Sequence, residues 1–399
     1  MKQFNSFFRL LVYEWKKNFL NPWILVLLLA LLLTNGWKLS SEYKNKTSEF
    51  IDYKAVYENF YSRWSGPITI DKVEELMAIF GPLDRRKDEL SFLVGSGEYT
   101  YSEYGDYRFL LSQFVNEIEY DYLYVNQAVD FAQKAIKLAE FYERRGNLYK
   151  SAESKAYANS FQNRAISQFA DTRYIEVWLD HDYSSMLVLF ICLSGLCTVF
   201  VTEKESEMYM LQRTSKLGSG MTMVAKLSAS ALFVILVCVL FYGEDFLVLQ
   251  LLSGHWEALK SPVYAIRNFE ATSLNMTIGK YIIWSGYIKM LGVMGCGCLV
   301  LLVSCLCNRV LSSFVASIGG LVGLVILQEL CRTRYSLKWT NPLELIMVRE
   351  IVTDVAFVNI LGRPVELSKF VISGVVFVIV AMMFAILQLN PSRIKRRSL

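Results

Sequence analysis

Side chains that could do chemistry are few and poorly grouped. His181 and His255 are the only histidines among 399 residues, and neither belongs to a His-Glu-x-x-His pattern. No Gly-x-Ser-x-Gly nucleophile elbow occurs. Gly279–Lys280 is the one Gly-Lys pair. It lacks the upstream glycine and the following Ser or Thr with which a phosphate loop cradles a nucleotide. Cys296-Gly-Cys298 and Cys305-Leu-Cys307 are spaced too tightly for a zinc site and lie among apolar residues, so they read as small packing residues. The chain is therefore expected not to be an enzyme, with no catalytic residue, no metal and no cofactor of its own. Any driven work draws its energy from a partner.

Two charged constellations carry more information. Glu203, Glu205 and Glu207 open a stretch that closes on Arg213 and Lys216. Met208, Leu211 and Gln212 fall on one face of a short helix there, and Gly218-Ser-Gly220 ends it. A charged helix with an apolar ridge, set between two apolar stretches, has the make-up of a lever. In the second constellation, Glu244 and Asp245 follow the uncharged run 227–243, while Lys289 precedes the uncharged run 290–308. These runs place the three charges at similar depth, where a lone charge is costly. An ion pair of Lys289 with one of the acids is expected, as an outer charged cluster or a candidate cargo path. Glu329, Arg332 and Arg334 close a further run in the same way.

The elements that hold these charges are membrane spans. Residues 18–37, 183–202, 227–243, 290–308, 310–328 and 370–392 carry no charge. Each approaches or exceeds the about 20 apolar residues that a crossing helix needs. Hydrophobic residues make up 54% of the chain and charged residues 20%, and the net charge of +4 is too small for a nucleic-acid binder. The fold class expected is an all-α polytopic membrane protein with six transmembrane helices and a mostly helical extracytoplasmic domain. Spans are expected at 19–37, 183–202, 222–246, 281–308, 310–330 and 369–391. The first is retained, since it lacks an Ala-x-Ala-like cleavage site. Between them fall the domain 38–182, the loops 203–221 and 247–280, and an outer re-entrant or loop region at 331–368. A basic tail, 392–399, follows.

Basic residues fix the expected orientation. Lys2, Arg9, Lys16 and Lys17 precede span one; Lys204, Arg213, Lys216 and Lys226 lie between spans two and three. Arg309 sits between spans four and five, and Arg393, Lys395, Arg396 and Arg397 close the sequence. With six spans all four groups share one side, which the positive-inside rule makes cytoplasmic, both termini included. The cysteines cluster in or beside the spans and are missing from 38–182, which points to a bacterial cell membrane.

Within 38–182, Phe114, Ile118, Asp121–Tyr122, Val125, Val129 and Ala132 recur at helical spacing, followed by Ala135, Leu138, Ala139 and Tyr142. Gly146–Asn147 stops that helix, and a second is expected over 150–178. Gly66–Pro67, Gly81–Pro82 and Gly95-Ser96-Gly97 punctuate the earlier part. The many aromatic residues form a core, or alternatively a surface for an amphipathic peptide or lipid. At the start, residues 1–18 form an interfacial amphipathic helix. Phe4, Phe7, Phe8, Leu11 and Trp15 share its apolar face, away from Asn5, Arg9, Lys16 and Lys17. Asn21–Pro22 breaks the chain, with Pro22 in the first turn of span one. Gly319-x-x-x-Gly323 in span five, and Gly292, Gly295 and Gly297 in span four, permit close helix packing or a dimer seam.

Tyr13-Glu-Trp-Lys-Lys17 with Pro22 resembles the connecting helix of type-2 ATP-binding-cassette exporter permeases. Glu203 through Lys226, with Leu211, Thr214–Ser215 and Gly218, resembles their coupling-helix region. Asn341–Pro342 and Asn359-x-x-Gly-x-Pro364 ahead of the last span are similar too. The resemblance leaves out 38–182. It also departs at Glu207, where many relatives have glycine. It implies an ATPase-coupling set of Glu203, Glu205, Glu207, Met208, Leu211 and Arg213. It further implies a second permease subunit, as homo- or heterodimer, in membrane lipid, and cytoplasmic ATP-binding-cassette ATPase subunits that bind ATP and Mg. The function it implies is export of an amphipathic cargo, whether peptide, lipid or drug. The alternatives are a mechanotransmitter of the same family, or a membrane sensor or scaffold acting through the extracytoplasmic domain.

Overall fold

The structure, a computed structural model, describes residues 2–47, 54–89, 102–208, 218–330 and 338–389. Helix α1 (Lys2–Asn18) leads into α2 (Pro22–Thr47), the first span. Asn21 separates them. Its side chain accepts from the backbone N–H of Trp23 at 3.1 Å, and Pro22 fills the first helical position, where a missing N–H costs nothing. Six stretches are long and apolar enough to cross a membrane: Pro22–Lys46, Arg173–Glu205, Gly220–Ser253, Ile278–Leu306, Val310–Leu330 and Leu367–Gln388. The protein is an all-α polytopic membrane protein. The second and fourth spans are the most buried and form the centre of the bundle. The first and fifth are the most exposed.

Between spans one and two lie α3 (Lys54–Trp64), α4 (Ile70–Arg85), α5 (Ser102–Leu110), a π-helical turn (Leu111–Val115), α6 (Asn116–Arg144) and α7 (Leu148–Ser160). Trp64, Phe109, Phe114 and Phe169 are buried at the centre of one cluster, so the aromatic residues form a core here. Three expectations are corrected. No single helix runs over 150–178. Instead α7 stops at Ser160, Asn163 takes a positive φ of 57°, and β2 (Gln168–Phe169) pairs antiparallel with β1 (Gly66–Pro67). A new helix, α8 (Arg173–Asp180), then begins. On α6 the period is right but the buried stripe is displaced. Ile118, Asp121, Tyr124, Ala128, Ala135 and Ala139 face inward, while Val125, Val129 and Leu138 are exposed. Gly81–Pro82 lies inside α4, so that pair breaks nothing. Gly95-Ser96-Gly97 falls outside the described residues.

The second span is built from α8, α9 (Tyr183–Leu196) and α10 (Val201–Glu205). The third is α11 (Gly218–Ser253), the fourth α12 (Ile278–Leu306) and the fifth α13 (Val310–Leu330). Helix α11 runs past the expected boundary at 246 because its last turns stay packed. Leu249 is buried, and Gln250 donates to the Tyr174 hydroxyl at 2.9 Å. In the next segment the short helices α14 (Leu343–Ile346) and α15 (Val348–Val352) wedge against span four. A Cβ at Gly292 would lie 2.7 Å from the Pro342 carbonyl, and one at Gly295 would lie 2.6 Å from Pro342 Cβ, so glycine is needed for that approach. Strands β3 (Phe357–Ile360) and β4 (Arg363–Glu366) then form a hairpin. Its two turn residues, Leu361 and Gly362, both take positive φ, and Asn359 accepts from the Gly362 N–H at 2.8 Å. The last span is α16 (Leu367–Gln388).

Candidate functional site

At the end of the bundle where α1 meets the spans, four charges gather. Lys226 of α11 is buried. Its ammonium lies 2.9 Å from Glu14 Oε2 on α1 and 2.7 Å from Glu203 Oε1 on α10. Lys17 reaches the same Glu203 oxygen at 2.5 Å. Asn18, one turn after Glu14 on α1, donates to its Oε2 at 3.1 Å and to its backbone carbonyl at 3.0 Å. Two carboxylates and two ammoniums thus neutralise one another, as buried charges must. The outer side of α1 is mixed, with Phe8 and Tyr13 exposed beside Arg9, Lys16 and Lys17, while Trp15 and Phe19 pack on Phe233 of span three.

Helix α10 is one turn, and each of its three charged residues grips a different partner. Glu203 enters the cluster just described. Lys204 donates to the carbonyls of Cys305 and Cys307 at the end of span four, where a cation also complements the helix dipole. Glu205 accepts from the backbone N–H of Val310 at 3.3 Å, at the start of span five. Above α10 the second span is interrupted at 197–200. The freed Cys197 carbonyl is satisfied from two neighbouring spans, by the hydroxyls of Ser304 and Ser313, each at 2.9 Å. In hydrocarbon such rescue is obligatory.

Glu207 has a positive φ of 57°. This is the left-handed region that glycine enters without a Cβ penalty, so the departure noted there has a conformational counterpart. Met208 is exposed. Leu211 and Arg213 lie outside the described residues.

The other expected cluster is reorganised. Glu244 and Asp245 are joined by Asn35 of span one, whose amide donates to Glu244 Oε2 at 3.2 Å and to Asp245 Oδ1 at 2.6 Å. Buried His181, in the break between α8 and α9, bridges Glu42 Oε2 at 2.6 Å and Asn35 Oδ1 at 3.2 Å. Its Nε2 stands 4.0 Å from Asp245. Lys289 does not complete the expected ion pair. Among the described residues it has no carboxylate within 4.0 Å; its ammonium stands 5.4 Å from the centre of the Trp178 ring and 5.6 Å from that of Tyr242. Equal depth did not bring the groups together because Asn35 and His181 occupy the acids first.

Among the described residues nothing packs against Gly319 or Gly323: no atom lies within 4 Å of a Cβ built at either. Gly320 makes the intrachain approach instead, 2.8 Å from Leu299.

Composition and spacing missed Glu14, Asn35 and His181. Glu14 was marked only as an acid inside a basic, amphipathic segment and as part of Tyr13-Glu-Trp-Lys-Lys17, with nothing to show its partners. Among the described residues no group of three or more metal-ligating side chains converges. No protein-family model matches the sequence, and no curated protein matches it.

Proposed function

We propose that this chain is the membrane-spanning permease subunit of an ATP-driven exporter in a bacterial cell membrane, moving an amphipathic cargo outward. The observation that carries the reading is the turn Glu203-Lys204-Glu205, whose three side chains tie spans three, four and five and helix α1 to one point. Residues 209–217 follow directly in sequence, so a load applied to them by an ATPase subunit reaches α1 and those three spans. The basic end is cytoplasmic, and the helical domain lies outside. The exposed fifth span, with its open Gly319–Gly323 face, supports pairing with a second permease subunit.

One observation favours the mechanotransmitter alternative. The helical domain is anchored to the loop between spans three and four. Tyr124 stacks on Tyr264, with centroids 4.8 Å apart, and donates to the Glu270 carbonyl at 3.0 Å. Motion of the spans therefore passes into that domain, which suits action on an outer partner as well as export.

The test uses Met208→Cys with a photoreactive maleimide in native membranes, with the cross-linked partner identified by mass spectrometry. An ATP-binding-cassette ATPase is expected, and recovery of lipid or non-ATPase adducts alone would overturn the exporter reading. In the same cells, an impermeant maleimide is expected to reach Leu148→Cys, on the exposed side of α7, from outside and Ser398→Cys, beyond the described residues, only from inside. External labelling at 398 would refute the orientation.

A further inference from the structure

A cavity of about 290 Å³ opens at the domain end of the bundle, between α8, span four and the wedge α14–α15. Its base is buried and mostly apolar: Trp178, Leu179, Tyr281, Ile346 and Val348. Lys289 is set into that base, only 7% exposed. Its ammonium carries three donors and no acceptor. Among the described residues it has ring faces nearby but neither an ion pair nor a hydrogen bond. A buried cation in that position is costly unless a ligand completes it.

The rim has the opposite character. Asp182 and Glu350 line it, both exposed and neither in an ion pair among the described residues. Arg349, also on the rim, is already held by Asp180. The cavity therefore offers at depth a cation that Asp182 and Asp245 attract only from beyond contact distance, and at the mouth carboxylates with no contact partner among the described residues. A plain anion would satisfy the base but be repelled at the rim. A zwitterion with its anion inward and its ammonium outward satisfies both. Met347 at the mouth touches Gln328 of span five at 3.3 Å. Beside Gln328, Val325, Ile326 and Leu330 present an exposed apolar face along which an acyl chain can lie.

We propose that this cavity receives the headgroup of a zwitterionic phospholipid, its phosphate against Lys289 and its ammonium between Asp182 and Glu350. Only the step that makes this lipid the exported cargo rests on the exporter reading; the binding itself does not.

The experiment measures lipid retained by the purified full-length chain in native mass spectrometry. Dioleoyl-phosphatidylethanolamine is compared with dioleoyl-phosphatidylglycerol, which has the phosphate but no ammonium. The wild type is expected to prefer the ethanolamine lipid about tenfold. Lys289→Met is expected to lower its retention about tenfold, the loss of one charge-assisted contact, and Lys289→Arg to restore most of it. The pair Asp182→Asn with Glu350→Gln is expected to bring ethanolamine-lipid retention down toward that of the glycerol lipid. These two positions are exposed, so the pair carries the test alone if Lys289→Met does not fold. Equal retention of both lipids by the wild type, or full retention by folded Lys289→Met, would overturn the proposal. Displacement by free phosphoethanolamine as effectively as by the lipid would overturn the lipid assignment. So would displacement by an amphipathic peptide with a free C-terminus but not by its amide. No arm uses ATP, so loss of binding leaves the exporter reading standing, and absence of an ATPase partner leaves this binding intact.

Discussion

Lys226 and Glu14 stand 212 residues apart in sequence and 2.9 Å apart in the fold. Removing one member of a buried charge group leaves the others uncompensated, at about 3–5 kcal/mol. Lys226→Met should therefore destabilise the protein by about that much in denaturant titration in detergent. Adding Glu14→Gln and Glu203→Gln should recover part of the loss, and no recovery would show that the charges do not act as a unit. In the helical domain, burial first, and then neighbouring Glu117, push the Asp121 carboxyl up to about 8. The folded state thus holds its proton more tightly than the unfolded chain, whose carboxyl titrates near about 3.9. Stability conferred by the protonated form is full below that value and is lost as pH rises toward 8. Asp121→Asn should raise the melting temperature at pH 8 by the equivalent of more than about 1 kcal/mol and change it little at pH 4. An equal effect at both values would contradict the linkage. Asp171 has the reverse sign. Burial opposes its charge, but the Arg173 guanidinium and the Tyr57 hydroxyl hold it down to about 2. Its contribution persists from neutral pH down to the unfolded value and is lost only as pH falls toward 2.

The second span shows what an element can and cannot disclose. Its charge-free run located it in the membrane, because hydrophobicity is additive along a segment. The interruption at 197–200 left no mark, because its rescue comes from Ser304 and Ser313 on other spans. Replacing both serines with alanine should leave the Cys197 carbonyl unpaired and cost about 1–3 kcal/mol, read as a lower unfolding midpoint. A cost below a few tenths would mean that the break finds other partners. The displaced stripe on α6 has a similar origin. Val125 and Val129 satisfy the helical period, but Tyr124 wins the buried side by stacking on Tyr264 of a distant loop. Local hydrophobicity cannot register a contact that the loop supplies. Turn chemistry was legible at Asn21–Pro22, whereas the hairpin turn from Asn359 through Gly362, just as local, was read only as part of an outer re-entrant or loop region.

At the scale of the whole molecule, the six-helix membrane architecture was readable and the charged sites only partly so. Uncharged length measures the membrane, whereas a buried polar cluster depends on which helices meet. Glu244 and Asp245 were expected to find Lys289 and instead found Asn35. Gly319 and Gly323 were expected at a packing face, yet among the described residues no atom lies against that face. Leucine at both positions should therefore leave the protomer's unfolding free energy within about 0.5 kcal/mol of wild type. If two subunits pair through this face, as proposed, the same change should dissociate them, as read by light scattering in detergent. A pair that survives it would place the seam elsewhere.

The attachments of Glu203, Lys204 and Glu205 also limit the number of independent movements available to the bundle. A turn bonded at once to α1, the end of span four and the start of span five has almost no freedom to rotate alone. A displacement imposed there is a boundary condition shared by all of them. Helix α1 and spans two to five then move as a mechanism with few coordinates rather than as separate rods. Mutations that loosen any one of the three ties should add a coordinate and let these elements move out of step, even where they cost little stability.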